Sequence, residues 1–132
     1  MKNINLGLLI MRLSVAGLML PHGIAKLIKG VDHIKGMFKN LGLPEFFAYS
    51  VYLGEVIVPI LIIIGFRTRL ASIFFAITCV VAMFLAHADQ IFTLGKGGGW
   101  SQELLGLFLF GSLALFFTGA GKYAVSKDNK WD

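Results

Sequence analysis

The chain has 132 residues, 57% of them hydrophobic and only 14% charged, with a mean hydropathy of +0.80. Soluble domains carry about 25% charged residues, so this composition excludes an ordinary soluble enzyme, a disordered chain and a disulfide-rich secreted domain, and it points to a small integral membrane protein. The formal net charge of +5 does not read as a nucleic-acid surface, because the basic residues sit mostly at the ends of apolar runs, where they meet anionic lipid headgroups.

A helix that crosses a bilayer needs about 20 apolar residues. Residues 4–28 supply the first run, interrupted by Arg12 and carrying Pro21, where a kink is predicted. The run is too long for the apolar part of a signal peptide, and no small-residue cleavage site follows it, so it reads as a retained span. Residues 29–44 follow. Within them Val31, Ile34, Met37, Phe38 and Leu41 recur at helical spacing, which predicts a short amphipathic helix lying in the membrane interface. Gly42 and Pro44 end it. Residues 46–66 form the second span, interrupted by Glu55 and Pro59. A tight hairpin carrying Arg67 and Arg69 leads into the third span, 70–88. Cys79, the single cysteine, lies inside that apolar run and reads as a packing residue. Gly95, Gly97, Gly98 and Gly99 make the next connection mobile or tightly turned, and with Lys96 they lack the spacing of a phosphate loop. The fourth span is 100–118. The expected fold is therefore all-α: a single membrane domain, 1–132, forming an integral membrane four-helix bundle with an interfacial helix between spans one and two.

An even number of spans puts both termini on one side. Lys2, Arg67, Arg69, Lys122, Lys127 and Lys130 lie on that side, against Lys26, Lys29, Lys35, Lys39 and Lys96 on the other. The positive-inside rule then favours both termini in the cytoplasm, by a narrow margin.

Ionisable residues inside spans are costly and mark a function or a buried pair. This chain has Arg12, His22, Lys26, Glu55, His87 and Glu103 in or at its spans, with Asp89 just beyond. Arg12 lies about 12 Å and Glu55 about 15 Å of helix from the same side, so an Arg12–Glu55 ion pair is expected if spans one and two are neighbours. A Lys26–Glu103 pair is the companion expectation. His22 and Lys26 share a face at i,i+4, and Arg12 returns to within about 40° of it. These residues outline a polar pocket opening towards the non-cytoplasmic half, for a quinone ring or a lipid headgroup. Phe74, Phe75 and Phe84 are candidates to line an apolar tail channel beside it, with plain packing the commoner role for such aromatics. His22 and His87 also raise the question of a haem, which ranks well below a quinone because no CxxCH or HExxH motif is present. No metal site is expected. His33 reads as an exposed interfacial residue.

The order of several pieces resembles the DoxX-like family of small four-span bacterial membrane proteins. They are Arg12 in span one, then His22-Gly23-Ile24-Ala25-Lys26-Leu27 and Leu41-Gly42-Leu43-Pro44. Gly54-Glu55, Gly65-Phe66-Arg67-Thr68-Arg69-Leu70-Ala71, Glu103-Leu104-Leu105 and Gly119-Ala120-Gly121-Lys122 complete the series. The resemblance implies a four-helix bundle in the bacterial inner membrane and a loose link to quinone-coupled redox chemistry. On this reading the chain is a small subunit of a redox-linked membrane complex, or a homo-oligomer, in contact with membrane lipids; no catalytic residue can be assigned. A non-catalytic assembly partner is the alternative, suggested by Gly7, Gly17, Gly54, Gly106 and Gly111 within the spans. A small proton-coupled transporter ranks last, since no inverted repeat accompanies Pro21 and Pro59.

Overall fold

In the computed structural model, which describes residues 2–86 and 88–132, five helices carry the fold. They are α1 (Ile4–Lys29), α2 (Asp32–Asn40), α3 (Glu45–Ile64), α4 (Thr68–Ala86) and α5 (Glu103–Thr118). The helices α1, α3 and α4 are each long and apolar enough to cross a membrane. The apolar α5 has 16 residues, about 24 Å. It begins three residues later than residue 100, because the segment before it is drawn back into a loop. There Trp100 donates its indole N–H to the Ile91 carbonyl, and Ser101 N–H bonds to Thr93 O at 3.0 Å. The four glycines of this connection form a tight turn closed by an antiparallel bridge between Leu94 and Trp100.

The long helices α1, α3, α4 and α5 are apolar over most of their surface, so burial and lipid exposure divide their faces. On α1 the inward residues are Arg12, Val15, Ala16, Met19 and Gly23, at helical spacing, whereas Ile10, Leu13, Leu18, Ile24 and Leu27 are exposed. Such exposed apolar area would be intolerable in water and matches a lipid-facing wall. The long helices close a ring: α1 packs on α3, α3 on α4, α4 most extensively on α5, and α5 back on α1. The interior holds Val15, Ala16, Met19, Ile62, Phe75, Phe108 and Leu115, with Cys79 fully buried among them. Gly54, Gly106 and Gly111 are spent inside this bundle, against Thr78, Trp100 and Val15, where a Cβ would overlap its neighbour. The predicted amphipathic helix is α2. It lays Val31 and Phe38 over Ala48, with Ile34, Tyr52 and Leu85 packed alongside.

α1 starts with Asn3 as its cap, whose side chain accepts from Leu6 N–H at 3.0 Å, and ends with Lys26 and Lys29 near its carbonyl end. It continues through Pro21 as one helix. α3 is irregular. A 3-10 stretch (Glu45–Tyr49) leads into a π turn (Leu53–Ile57), followed by a regular segment that starts with Pro59 near its N-terminus (Val58–Ile64). Gly65, at φ +77°, stops α3 in the left-handed region that L side chains avoid.

The N-terminal end of α1, the α3–α4 hairpin and the tail after α5 gather at one end of the bundle. Arg12 ties them together. It is 1% exposed and has no carboxylate partner among the described residues. Its Nε donates to Ile62 O at 2.9 Å and Nη2 to Ile63 O at 2.7 Å; Nη1 donates to Tyr123 O at 2.6 Å and Ala120 O at 3.3 Å. All four carbonyls lie at or just past helix C-termini, where the backbone leaves acceptors without helical donors and the helix dipole is negative. The tail adds to the clamp. Trp131 O accepts from Arg69 and Leu70 N–H at the start of α4, and Asp132 accepts from Arg67 at 3.1 Å. Desolvation pushes the Asp132 carboxyl up, but hydrogen bonds from Ser126, Asn129 and Arg67 outweigh it and hold the carboxyl below its usual range.

Replacing Arg12 by Leu removes the side-chain donor from all four carbonyls; Ile62 O keeps the Gly65 N–H at 3.2 Å, and the others are left unpaired at about 1–3 kcal/mol each. The expected result is a large drop in the thermal midpoint of the detergent-solubilised protein, with early proteolysis after Lys122 and Lys127. Arg12→Lys, a single ammonium in place of a fork, falls between Leu and the native chain.

Candidate functional site

The other half of the bundle holds the candidate site. Helical side chains lean towards the N-terminus of their own helix. α1 and α3 run antiparallel, so Arg12 on α1 leans to the hairpin end while Glu55 on α3 leans the opposite way. The expected Arg12–Glu55 pair is therefore not formed. Lys26, fourteen residues further along α1, leans back towards mid-depth and meets Glu55 instead, with Nζ 2.5 Å from Oε2. Counting depth along the helices places Arg12 and Glu55 together only if side-chain direction is ignored.

The local backbone makes the meeting possible. In a regular helix the Glu55 carbonyl would accept from residue 59, but that residue is Pro59 and has no N–H. The chain answers with the π turn, in which Val58 N–H bonds back to Leu53 O. Such turns insert one residue and are frequent at functional sites. Gly23 lies directly over the Glu55 carbonyl, where any Cβ would overlap it, so α1 can come into backbone contact with the π turn. The Tyr52 hydroxyl donates to Lys26 O at 3.3 Å and fixes the end of α1 from the same side. Glu55 is buried, and the Lys26 side chain is about one-third exposed.

The pair faces a cavity of about 820 Å³ between α1, α2, α3 and α4. That volume suits a drug-sized ligand. One region of its wall is polar: His22, Lys26 and Glu55, with Lys29, Asp32 and His33 towards the mouth. The α4 wall is apolar, from Phe74 through Ile77 and Val81 to Leu85, and its one hydroxyl, Thr78, is spent on Phe74 O at 2.9 Å. His22 also stands edge-on to Phe108 of α5, with ring centroids 6.4 Å apart.

Of the residues singled out in the sequence, the structure brings together His22, Lys26 and Glu55. Arg12 lies at the opposite end as a structural clamp. Glu103 is exposed in the first turn of α5, with its carboxylate against Gly99, and does not pair with Lys26. His87 lies outside the described residues. Of Phe74, Phe75 and Phe84, only Phe74 lines the cavity; Phe75 packs in the core against Phe108, and Phe84 is exposed. His33 is exposed as expected, yet it belongs to the cavity mouth with Lys29 and Asp32. The signal for these three was present in the Gly30 break, which separates α1 from α2 and leaves Lys29, Asp32 and His33 at the junction. Among the described residues no group of three or more His, Cys, Asp or Glu side chains could hold a metal ion.

The DoxX family profile matches residues 7–88, well over half of the chain. The chain belongs to the DoxX family. The matched stretch runs from α1 through α4 and so contains every wall of the cavity. Among curated proteins, this DoxX chain is 30% identical over 119 residues to "Putative oxidoreductase CatD" of Bacillus subtilis (strain 168), covering 90% of this chain and 84% of that protein. It is 29% identical over 125 residues to an uncharacterized protein of Haemophilus influenzae, covering 92% and 87%. No solved structure matches it.

Removing one partner of a half-buried pair strands the other charge, whereas removing both does not. Lys26→Met and Glu55→Leu should each lower the thermal midpoint, and the double variant should lie closer to the native chain than the sum of the two. Gly23→Val, which drives α1 off the π turn, should destabilise more than Gly17→Val, where nothing lies within 4 Å of the added carbon.

Proposed function

We propose that this DoxX-family chain is a four-span inner-membrane subunit that binds the polar head of a quinone or lipid as part of a redox-linked complex. The observation that carries this reading is one cavity with titratable donors and acceptors at one end and an uncharged α4 wall along its length. A quinone carbonyl is an acceptor, and the Lys26 ammonium and a His22 N–H are donors at the polar end. Glu55 is an acceptor for a hydroxyl of the reduced form. An imidazole carries both a hydrogen-bond donor and an acceptor, which suits His22 to passing protons between a bound head and water at the mouth. The name of the B. subtilis relative is in keeping with redox chemistry.

Electrons would have to come from a partner in this reading, because Cys79 has no second cysteine with which to form a dithiol couple within these 132 residues. Both termini are placed in the cytoplasm, which sets the Arg67, Arg69, Lys122, Lys127 and Lys130 end against the cytoplasmic leaflet and the cavity in the outer half. The sixteen residues of α5 are taken as the fourth span, completed by its flanking loop and by thinning of the bilayer at that point.

Native mass spectrometry of the protein extracted in a mild detergent tests the proposal. A quinone or one specific lipid is expected to remain bound, and to be lost in His22→Ala and in the Lys26→Met/Glu55→Leu double variant. An empty chain attached to another subunit would overturn the ligand-binding role and leave an assembly role.

A further inference from the structure

We infer that the cavity draws its ligand sideways from the bilayer, and that this ligand is a single-tailed amphiphile with a small hydrogen-bonding head. The inference rests on the ligand-binding reading above and adds the class of molecule and its route. Four residues at the cavity edge, Leu53 on α3 and Phe74, Ile77 and Val81 on α4, line the cavity and are also 44–53% exposed. They form the two lips of a window between the helices. Ile77 is the middle residue of Thr68–Ala86, so the window opens at mid-depth, onto acyl chains and not onto water.

The polarity of the cavity runs parallel to that of a leaflet. Lys29, at the end of α1, and Asp32 and His33, in the first turn of α2, stand at the interface. The wall from Leu85 down to Phe74 extends about 16 Å towards the bilayer centre, and α4 carries no charged residue along it. An amphiphile sliding in through the window keeps its head at headgroup level and its tail among apolar groups throughout. A small water-soluble ligand would fill the polar end alone and leave the long apolar wall without a partner.

The test uses the full chain in nanodiscs and three probes: a benzoquinone with a ten-carbon tail, the same ring without the tail, and decyl phosphate. A diazirine at the tail end of each tailed probe reports position. At least one tailed probe should bind tenfold or more tightly than the tail-less ring, and its diazirine should label the 74–81 segment of α4. Ile77→Trp and, on the opposite lip, Leu53→Trp should weaken the tailed probe several-fold and leave the tail-less ring unchanged. Which tailed probe wins identifies the head as quinone-like or phosphate-like. A tail-less ring that binds as well as the tailed one, or labelling confined to α2, would overturn this inference while leaving the ligand-binding reading standing. If no probe binds the native chain, both fall together.

Discussion

A buried guanidinium without a counter-ion organises this protein. An isolated charge in a dry interior is among the least favourable things a fold can contain. Arg12 avoids that cost by taking acceptors from the backbone, in the one place where a helical bundle has acceptors to spare. The carbonyls of Ile62, Ile63, Ala120 and Tyr123 lie where α3 and α5 end, and the fork geometry of arginine serves several of them at once. One side chain on α1 thereby sets the height of α3 and of the tail after α5. With that end fixed, the Arg67–Asp132 pair and the Trp131 carbonyl at the start of α4 complete a rigid base.

The opposite half is built on different terms. There α1 and α3 meet through Gly23 and the Glu55 carbonyl, α3 and α4 through Gly54 and Thr78, and a cavity remains above these contacts. Arg12 and Arg69 at the base are engaged by backbone carbonyls, whereas the polar groups around the cavity include ones that a ligand can still engage. His22 stands edge-on to Phe108 and its side chain makes no hydrogen bond among the described residues, and Lys29 has no ion-pair partner among them. The division of labour between Arg12 and Lys26, two cations on one helix, follows from the direction in which helical side chains lean.

The architecture was legible because the bilayer imposes it. Apolar run lengths, the Arg67–Arg69 hairpin and the stripe Val31, Ile34, Met37 and Phe38 are one-dimensional signals, and each emerged as a helix or turn near the predicted place. The site was legible only in part. His22 and Lys26 share a face by spacing alone, and that survived. The partner of Glu55 did not, because depth was counted between Cα positions while the charges sit several ångströms from them, displaced in opposite directions on antiparallel helices. Glu103 looked like a member of the cluster because it shares its end of the bundle, but α5 lies across the ring from the α3 wall that carries Glu55. Nor could a sequence pattern reveal that Phe75 turns inward while Phe74, its neighbour, edges the cavity.

The π turn at Leu53–Ile57 gives α3 two phases. Each residue of an α-helix advances about 100° around the axis, so the extra residue in this turn offsets everything before it from everything after it. The half that follows, with Val58, Pro59 and Ile62 buried, is held in register by Arg12. Val51 before the turn, and Leu53 and Gly54 at its start, line the cavity. Loss of a single residue within the turn would swing the cavity half about one position around, with the base unmoved. An insertion or deletion at this one turn would thus remodel the pocket without disturbing the Arg12 clamp.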